Sequence, residues 1–181
     1  MFKDPFFHWY NFQSKTGECV GITESIQYVV DFMNEHGPYD GVLGFSQGTI
    51  MARIILKLDE FKSKMPELVH GVPKFGIMFS GIFTERAKYI QEYEKDAFKL
   101  MVPYKQPIFW TYGEKDPLKP LCANAIVEEG NYVKVIHKYA HNIPKFAEEE
   151  LDALCEFINR MYREISDEDM ALDFDRYDQS K

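Results

Sequence analysis

A chain of 181 residues suits one domain with a sizeable core, and 45% apolar with 15% aromatic residues excludes a disordered chain. A net charge of −8 without any basic run argues against a nucleic-acid surface, and no uncharged apolar run approaches membrane-spanning length. Three widely spaced cysteines, Cys19, Cys122 and Cys155, form no C-x-x-C pair, which argues against a zinc site or disulfide framework and for a reducing, cytoplasmic compartment.

In chain order, the opening "MFKDPFFHWYNF" is broken by Asp4, Pro5 and His8 and has no signal-peptide h-region. "TESIQYVVDFMNEHG" predicts an amphipathic helix with Thr23 as N-cap and Gly37 as stop, its apolar face made by Ile26, Val29, Val30 and Met33. Pro38 to Gly41 is a turn, and "VLGF" after it is a short apolar strand of the kind buried on both faces of a parallel sheet. "TIMARIILKL" is apolar on most sides and predicts a helix buried under that sheet.

Further strands are expected at "KFGIMFSG" (Lys74 to Gly81), "PIFWTYG" (Pro107 to Gly113) and "YVKVIHKY" (Tyr132 to Tyr139). Between the first two of these, "TERAKYIQEYEKDAFKLMVPYKQ" is polar and helical in character, an insertion expected above the strand ends. A closing helix is expected from Lys145 to Arg163, and the tail from 164 to 181, with seven carboxylates against two basic residues, is expected to be flexible. Strands alternating with helices predict an α/β domain with a parallel sheet, over residues 1–163.

The residues Gly44-Phe45-Ser46-Gln47-Gly48 spell G-x-S-x-G. Alone the pattern is weak, but here an apolar strand precedes it and an apolar helix follows. Nucleophilic catalysis needs a serine oxygen exposed at a strand's carboxyl end, on a turn so sharp that small residues must flank it. Such a serine needs a histidine base, and the base needs an acid to hold its tautomer, in chain order Ser, Asp or Glu, His. Asp116 lies three residues past Gly113, with Glu114 as a competing acid, and His141 lies two past the fourth strand, with His137 as a competitor inside it. His8 and His70 have no matching context.

"FHWYNF", "GITESIQYVVDFMNEHGPYDGVLGFSQGTIMA", "FSGIF", "PIFWTYGEKDPL" and "HKYAHNIP", across roughly residues 6 to 160, resemble the serine hydrolase FSH family. This α/β-hydrolase group includes the fungal family-of-serine-hydrolases enzymes and the ovarian-cancer-associated esterases. The resemblance implies an α/β-hydrolase-like three-layer sandwich with a mostly parallel sheet. It also implies carboxylic-ester hydrolysis on small apolar esters, with no metal or organic cofactor. By it Ser46 is the nucleophile, Asp116 the acid and His141 the base, and the backbone N–H of Gln47 is an oxyanion-hole donor.

Two features depart from the family pattern. Tyr139 and Ala140 stand where the family has Gly-Gly before the histidine, which is expected to narrow the pocket or shift the imidazole. The family's opening strand, ending in Leu-His-Gly and followed by a loop with a second oxyanion donor, has no counterpart, so the fold is expected to be N-terminally truncated. Losing one such donor typically costs about 10²–10³ in rate. An apolar sheet edge at Val42–Phe45 is then expected to pair with a protein partner or another copy. Two readings follow: an active serine esterase, or a hydrolase-derived, weakly active or inactive structural subunit of a larger assembly.

Overall fold

The computed structural model describes residues 7–61, 65–84, 87–90, 104–126 and 130–178. The chain divides into two compact units, Met1–Pro144 and Lys145–Lys181.

The first unit opens with a small antiparallel hairpin, β1 (Asn11–Phe12) and β2 (Cys19–Val20), which the sequence pattern does not announce because each strand has only two residues. Helix α1 (Ile22–His36) follows. It starts one residue before Thr23, and its N-cap is Gly21, in left-handed backbone at φ 88°, rather than that threonine. The reason is packing: Ile22 is buried with Ile26 and Val30, so the first turn must begin upstream of Thr23 to bring it inward. Gly37 does close the helix, its N–H reaching the carbonyl of Met33 just before Pro38.

The main sheet is built from β3 (Gly41–Phe45), β4 (Phe75–Phe79), β5 (Ile108–Gly113) and β6 (Tyr132–His137), all parallel and in that spatial order. β4, β5 and β6 lie inside expected strands, while β3 begins one residue before "VLGF", at the glycine expected to close a turn. It is not buried on both faces as expected, because it stands at the edge of the sheet among the described residues. The register pairs Phe45 with Phe79, Phe79 with Thr111 and Thr111 with Val135, which brings the carboxyl ends of the four strands to one side. Among the described residues β3 is an edge strand, and Leu43 on it is 57% exposed. Residues 91–103 of the expected polar insertion lie outside the described residues.

Helix α2 (Gly48–Leu56) connects β3 to the rest, and its residues from Thr49 to Leu56 are all buried. Its position explains why its sequence is apolar on nearly every side. Ala52 and Leu56 pack with Met78, Ile108 and Trp110 of the sheet, while Ile50, Ile54 and Ile55 pack with Ile26 and Val30 of α1. Two cations share this burial, and aromatic faces receive them. The Arg53 guanidinium lies 4.7 Å from the Trp110 ring centroid and donates to the carbonyl of Ala125. Lys57 Nζ lies 4.6 Å from the Tyr104 centroid and 3.5 Å from Glu60, and burial pushes its pKa down against the pull of that carboxylate.

The second unit is α4 (Glu148–Asp178), which begins three residues later than expected and continues well past Arg163. The start is set by a capping arrangement: the Glu150 carboxylate accepts the N–H of Ala147, and Leu151 N–H reaches back to the Ala147 carbonyl. The extension has a simple cause, since no glycine or proline follows Pro144 to stop a helix.

If α2 is the packing centre of the first unit, Ile54→Ala, at a fully buried position, should cost about 2–5 kcal/mol in urea-induced unfolding. A loss below about 1 kcal/mol would show that the helix is not close-packed between α1 and the sheet.

Candidate active site

Ser46 is the residue after β3 and has φ 52°, a left-handed conformation that costs a non-glycine residue roughly 1–2 kcal/mol. Its surroundings hold it there. Ser46 N–H donates to the Phe79 carbonyl at 3.0 Å, and its own carbonyl accepts from Thr49 N–H at 3.1 Å and Thr49 Oγ1 at 2.6 Å. The turn closes so tightly that a Cβ on Gly44 would run into the backbone of Gly48 and Thr49. Gly48 is less constrained, since its Cβ would meet only the Trp9 indole nitrogen, at 3.5 Å. The turn therefore carries the serine hydroxyl past the end of the strand, at the start of a buried helix.

Asp116 follows β5 by three residues, and its side chain is fully buried. Its Oδ1 accepts the Leu118 N–H at 2.7 Å. Its Oδ2 accepts from His141 Nδ1 at 2.7 Å. A buried carboxylate is tolerable only with such donors around it. With an ionised acceptor at Nδ1, the imidazole carries its proton there and leaves Nε2 as acceptor. Nε2 lies 2.9 Å from Ser46 Oγ. The three residues thus form one hydrogen-bonded chain, from a fully buried acid to a histidine side chain that is 24% exposed.

The loop carrying His141 is held against the end of β5. Glu114 N–H donates to the His137 carbonyl at 2.7 Å and Lys115 N–H to the Tyr139 carbonyl at 3.1 Å. Gly113 makes this approach possible, because a Cβ there would collide with the carbonyl oxygens of Tyr139 and Ala140. Tyr139 and Ala140 therefore meet β5 through their backbone, and the imidazole reaches both partners despite the absence of glycines. The Phe45 ring packs beside it at 5.2 Å between centroids.

The alternatives resolve on geometry. Glu114 is exposed and it is Asp116 that meets His141. His137 is buried in β6, with Nδ1 accepting the Tyr139 N–H at 3.3 Å. The fourth strand ends at His137, so His141 lies four residues past it rather than two.

Asp116, Cys122 and His141 also bring three potential metal ligands within 4.8 Å of one another. The 2.7 Å between Nδ1 and Oδ2 is a hydrogen-bond distance, shorter than the roughly 3.3 Å that bonds of about 2.0 Å to a tetrahedral zinc would require.

A cavity of about 580 Å³ opens beside Ser46, lined in part by Phe7, His8, Trp9 and Phe45. The segment that supplies its first three residues is pinned in place: Ser25 Oγ donates to the Trp9 carbonyl at 2.5 Å, and Gln47 Nε2 to the Tyr10 carbonyl at 3.1 Å. Tyr10 is buried and meets Tyr89 edge-on, and burial raises its hydroxyl pKa. His8 and Trp9 line this cavity because the fold brings their segment beside the turn at Ser46, which no local spacing in the sequence marks. The free aromatic cluster "FHWY" was the one available signal.

A parallel α/β sheet with a nucleophile-type turn after one strand and an acid and histidine after later ones is the organisation of the α/β-hydrolases. The crystal structure of an acyl-protein thioesterase 2 from Zea mays shares this fold, with a TM-score of 0.50 and 17% identity over 78% of this chain and 64% of that one. The profile of the family described as serine hydrolase (FSH1) matches residues 1–152, and the chain belongs to that family. It is 29% identical over 153 residues to Esterase C25G4.2 of Caenorhabditis elegans, covering 77% of this chain and 65% of the relative. It is also 29% identical to Esterase OVCA2 of Bos taurus, over 71% of this chain and 53% of the relative. The chain thus spans between about half and two-thirds of the length of these curated relatives.

The contact across Gly113 makes a structural prediction. Gly113→Ala should push the Tyr139–His141 loop off β5 and lengthen the Nε2–Oγ contact from 2.9 Å to beyond hydrogen-bonding reach in a crystal structure of the variant. Unchanged positions of Tyr139 and His141 would show that the loop is held by other contacts.

Proposed function

We propose that the protein is a serine esterase that cleaves small apolar carboxylic esters through an acyl-enzyme. The observation that carries this reading is the continuous chain Ser46 Oγ, His141 Nε2, His141 Nδ1, Asp116 Oδ2, with contacts of 2.9 and 2.7 Å. In the reaction, Ser46 Oγ attacks the ester carbonyl carbon while His141 Nε2 takes the hydroxyl proton. Asp116 holds the ring with its proton on Nδ1 and stabilises the imidazolium. The carbonyl oxygen becomes an oxyanion, which the N–H of Gln47, the N-cap residue just before α2, is there to stabilise.

The tetrahedral species then collapses, the C–O bond to the alcohol breaks, and His141 returns the proton to the leaving oxygen. A water activated by the same Nε2 hydrolyses the acyl-Ser46 ester and regenerates the hydroxyl. The aromatic cavity formed by Phe7, Trp9 and Phe45 supports an apolar acyl group as the part of the substrate seated beside Ser46. Three free cysteines, Cys155 among them exposed, support a reducing, cytoplasmic setting. Among the described residues no helix is long and apolar enough to cross a membrane.

One observation favours the second reading, a structural subunit whose β3 edge is covered by another chain: Leu43 exposes 57% of its surface on that edge. That reading expects a folded protein with weak turnover or none, which the assays that follow measure.

Ser46→Ala and His141→Ala should each abolish hydrolysis of a short-chain nitrophenyl ester. Asp116→Asn should remain folded and lose on the order of 10⁴ in kcat, because the amide reverses the tautomer at Nδ1. Turnover by Ser46→Ala at the parent rate would refute the assignment.

The pH dependence has a definite sign. Nε2 accepts a proton only when the ring is neutral, so kcat/KM should fall as the pH is lowered and His141 takes up a proton in the free enzyme. A rate that stays flat from about pH 7 down to about pH 4 would exclude a histidine base.

A further inference from the structure

The Asp116 carboxylate has a third neighbour that the reaction above does not use. Cys122, on the short helix α3 (Lys119–Asn124), places its Sγ 3.7 Å from Asp116 Oδ2, the oxygen that also accepts from His141 Nδ1 at 2.7 Å. The thiol is 1% exposed and packs in the cluster that includes Trp110, Tyr112 and Ile126. A thiol beside an ionised carboxylate has only one favourable role, as S–H donor to it.

We propose that Cys122 is a positioning residue of the triad, whose S–H bond to Oδ2 draws charge from the carboxylate that faces His141. The proposal rests on the esterase reading for its purpose, though not for its measurement. Burial, and after it the charge of Asp116, push the Cys122 thiol up to about 12, so it stays protonated and a donor at every working pH. The sulfur lies at the outer range for such a bond, so the bond is a weak one. Its location makes it count: Oδ2 is the oxygen through which Asp116 acts on the ring.

The consequence is a shift in the histidine. Without the S–H donor, Oδ2 presents more negative charge to Nδ1–H, which favours the imidazolium and raises the pH at which His141 titrates. The titratable groups that face this carboxylate among the described residues are His141, from the loop after β6, and Cys122, from α3; Ser46, after β3, faces the far ring nitrogen. Tyr112 of β5 shares the thiol's cluster, while Glu114 and Lys119 are exposed. Among the described residues, Asp116 is the charge that acts on the thiol.

The test compares Cys122→Ala with Cys122→Val, which refills the space of the thiol without a donor, in the full chain carrying Ser46→Ala. The midpoint of the His141 ring-proton titration by NMR is then read without any turnover, so its outcome is separate from whether the protein is an esterase. Both variants should move the midpoint up by about half a pH unit, the size expected of a weak neutral donor. With Ser46 restored, the acid limb of kcat/KM should move the same way. Midpoints of either folded variant that coincide with the parent would overturn the proposal. So would a shift seen in Cys122→Ala and rescued by Cys122→Val, because that pattern belongs to packing alone.

Discussion

Everything at this site depends on the backbone at Ser46. A serine held at φ 52° is unfavourable in isolation, and it persists because the chain on either side leaves it no alternative. Before it, β3 is locked in register with β4; after it, α2 is buried on every side between α1 and the sheet. The absence of a Cβ at Gly44 lets the two elements meet at the required angle. The strain is thus balanced by packing remote from the hydroxyl, which is why α2 is so apolar.

The parallel register then does the rest. Because β3, β4, β5 and β6 end on the same side, residues from three separate loops converge without any long excursion of the chain. The resulting hydrogen-bonded chain runs from a dry end to a wet one. Asp116 is wholly enclosed, where its hydrogen bonds are strong and its orientation fixed, while His141 and the cavity beside Ser46 open outward. An acid in water would hold the ring weakly, and a buried histidine could not meet a substrate.

Much of this was legible in the sequence, for identifiable reasons. The parallel strands read as short apolar runs, although only β4 and β5 are largely buried, and the order Ser46, Asp116, His141 past three strand ends is specific even though each residue alone is not. Local pattern failed where tertiary contact decides. Thr23 has the chemistry of a cap, yet the burial of Ile22 moves the helix start past it. Asp116 and Glu114 lie two residues apart past one strand, and only the fold shows that the first is buried beside His141 and the second exposed. Trp9 and Cys122 come to the site through contacts set by the fold, and the sequence signals only the aromatic cluster that holds Trp9.

If Ser46 is an activated nucleophile, it will react covalently with an electrophilic probe. Folded protein would be treated with a fluorophosphonate probe and the modified residue located by mass spectrometry. A single adduct on Ser46 is expected, formed in the folded protein and lost when the protein is unfolded before treatment. Folded protein left unlabelled, or labelled at another residue, would contradict it.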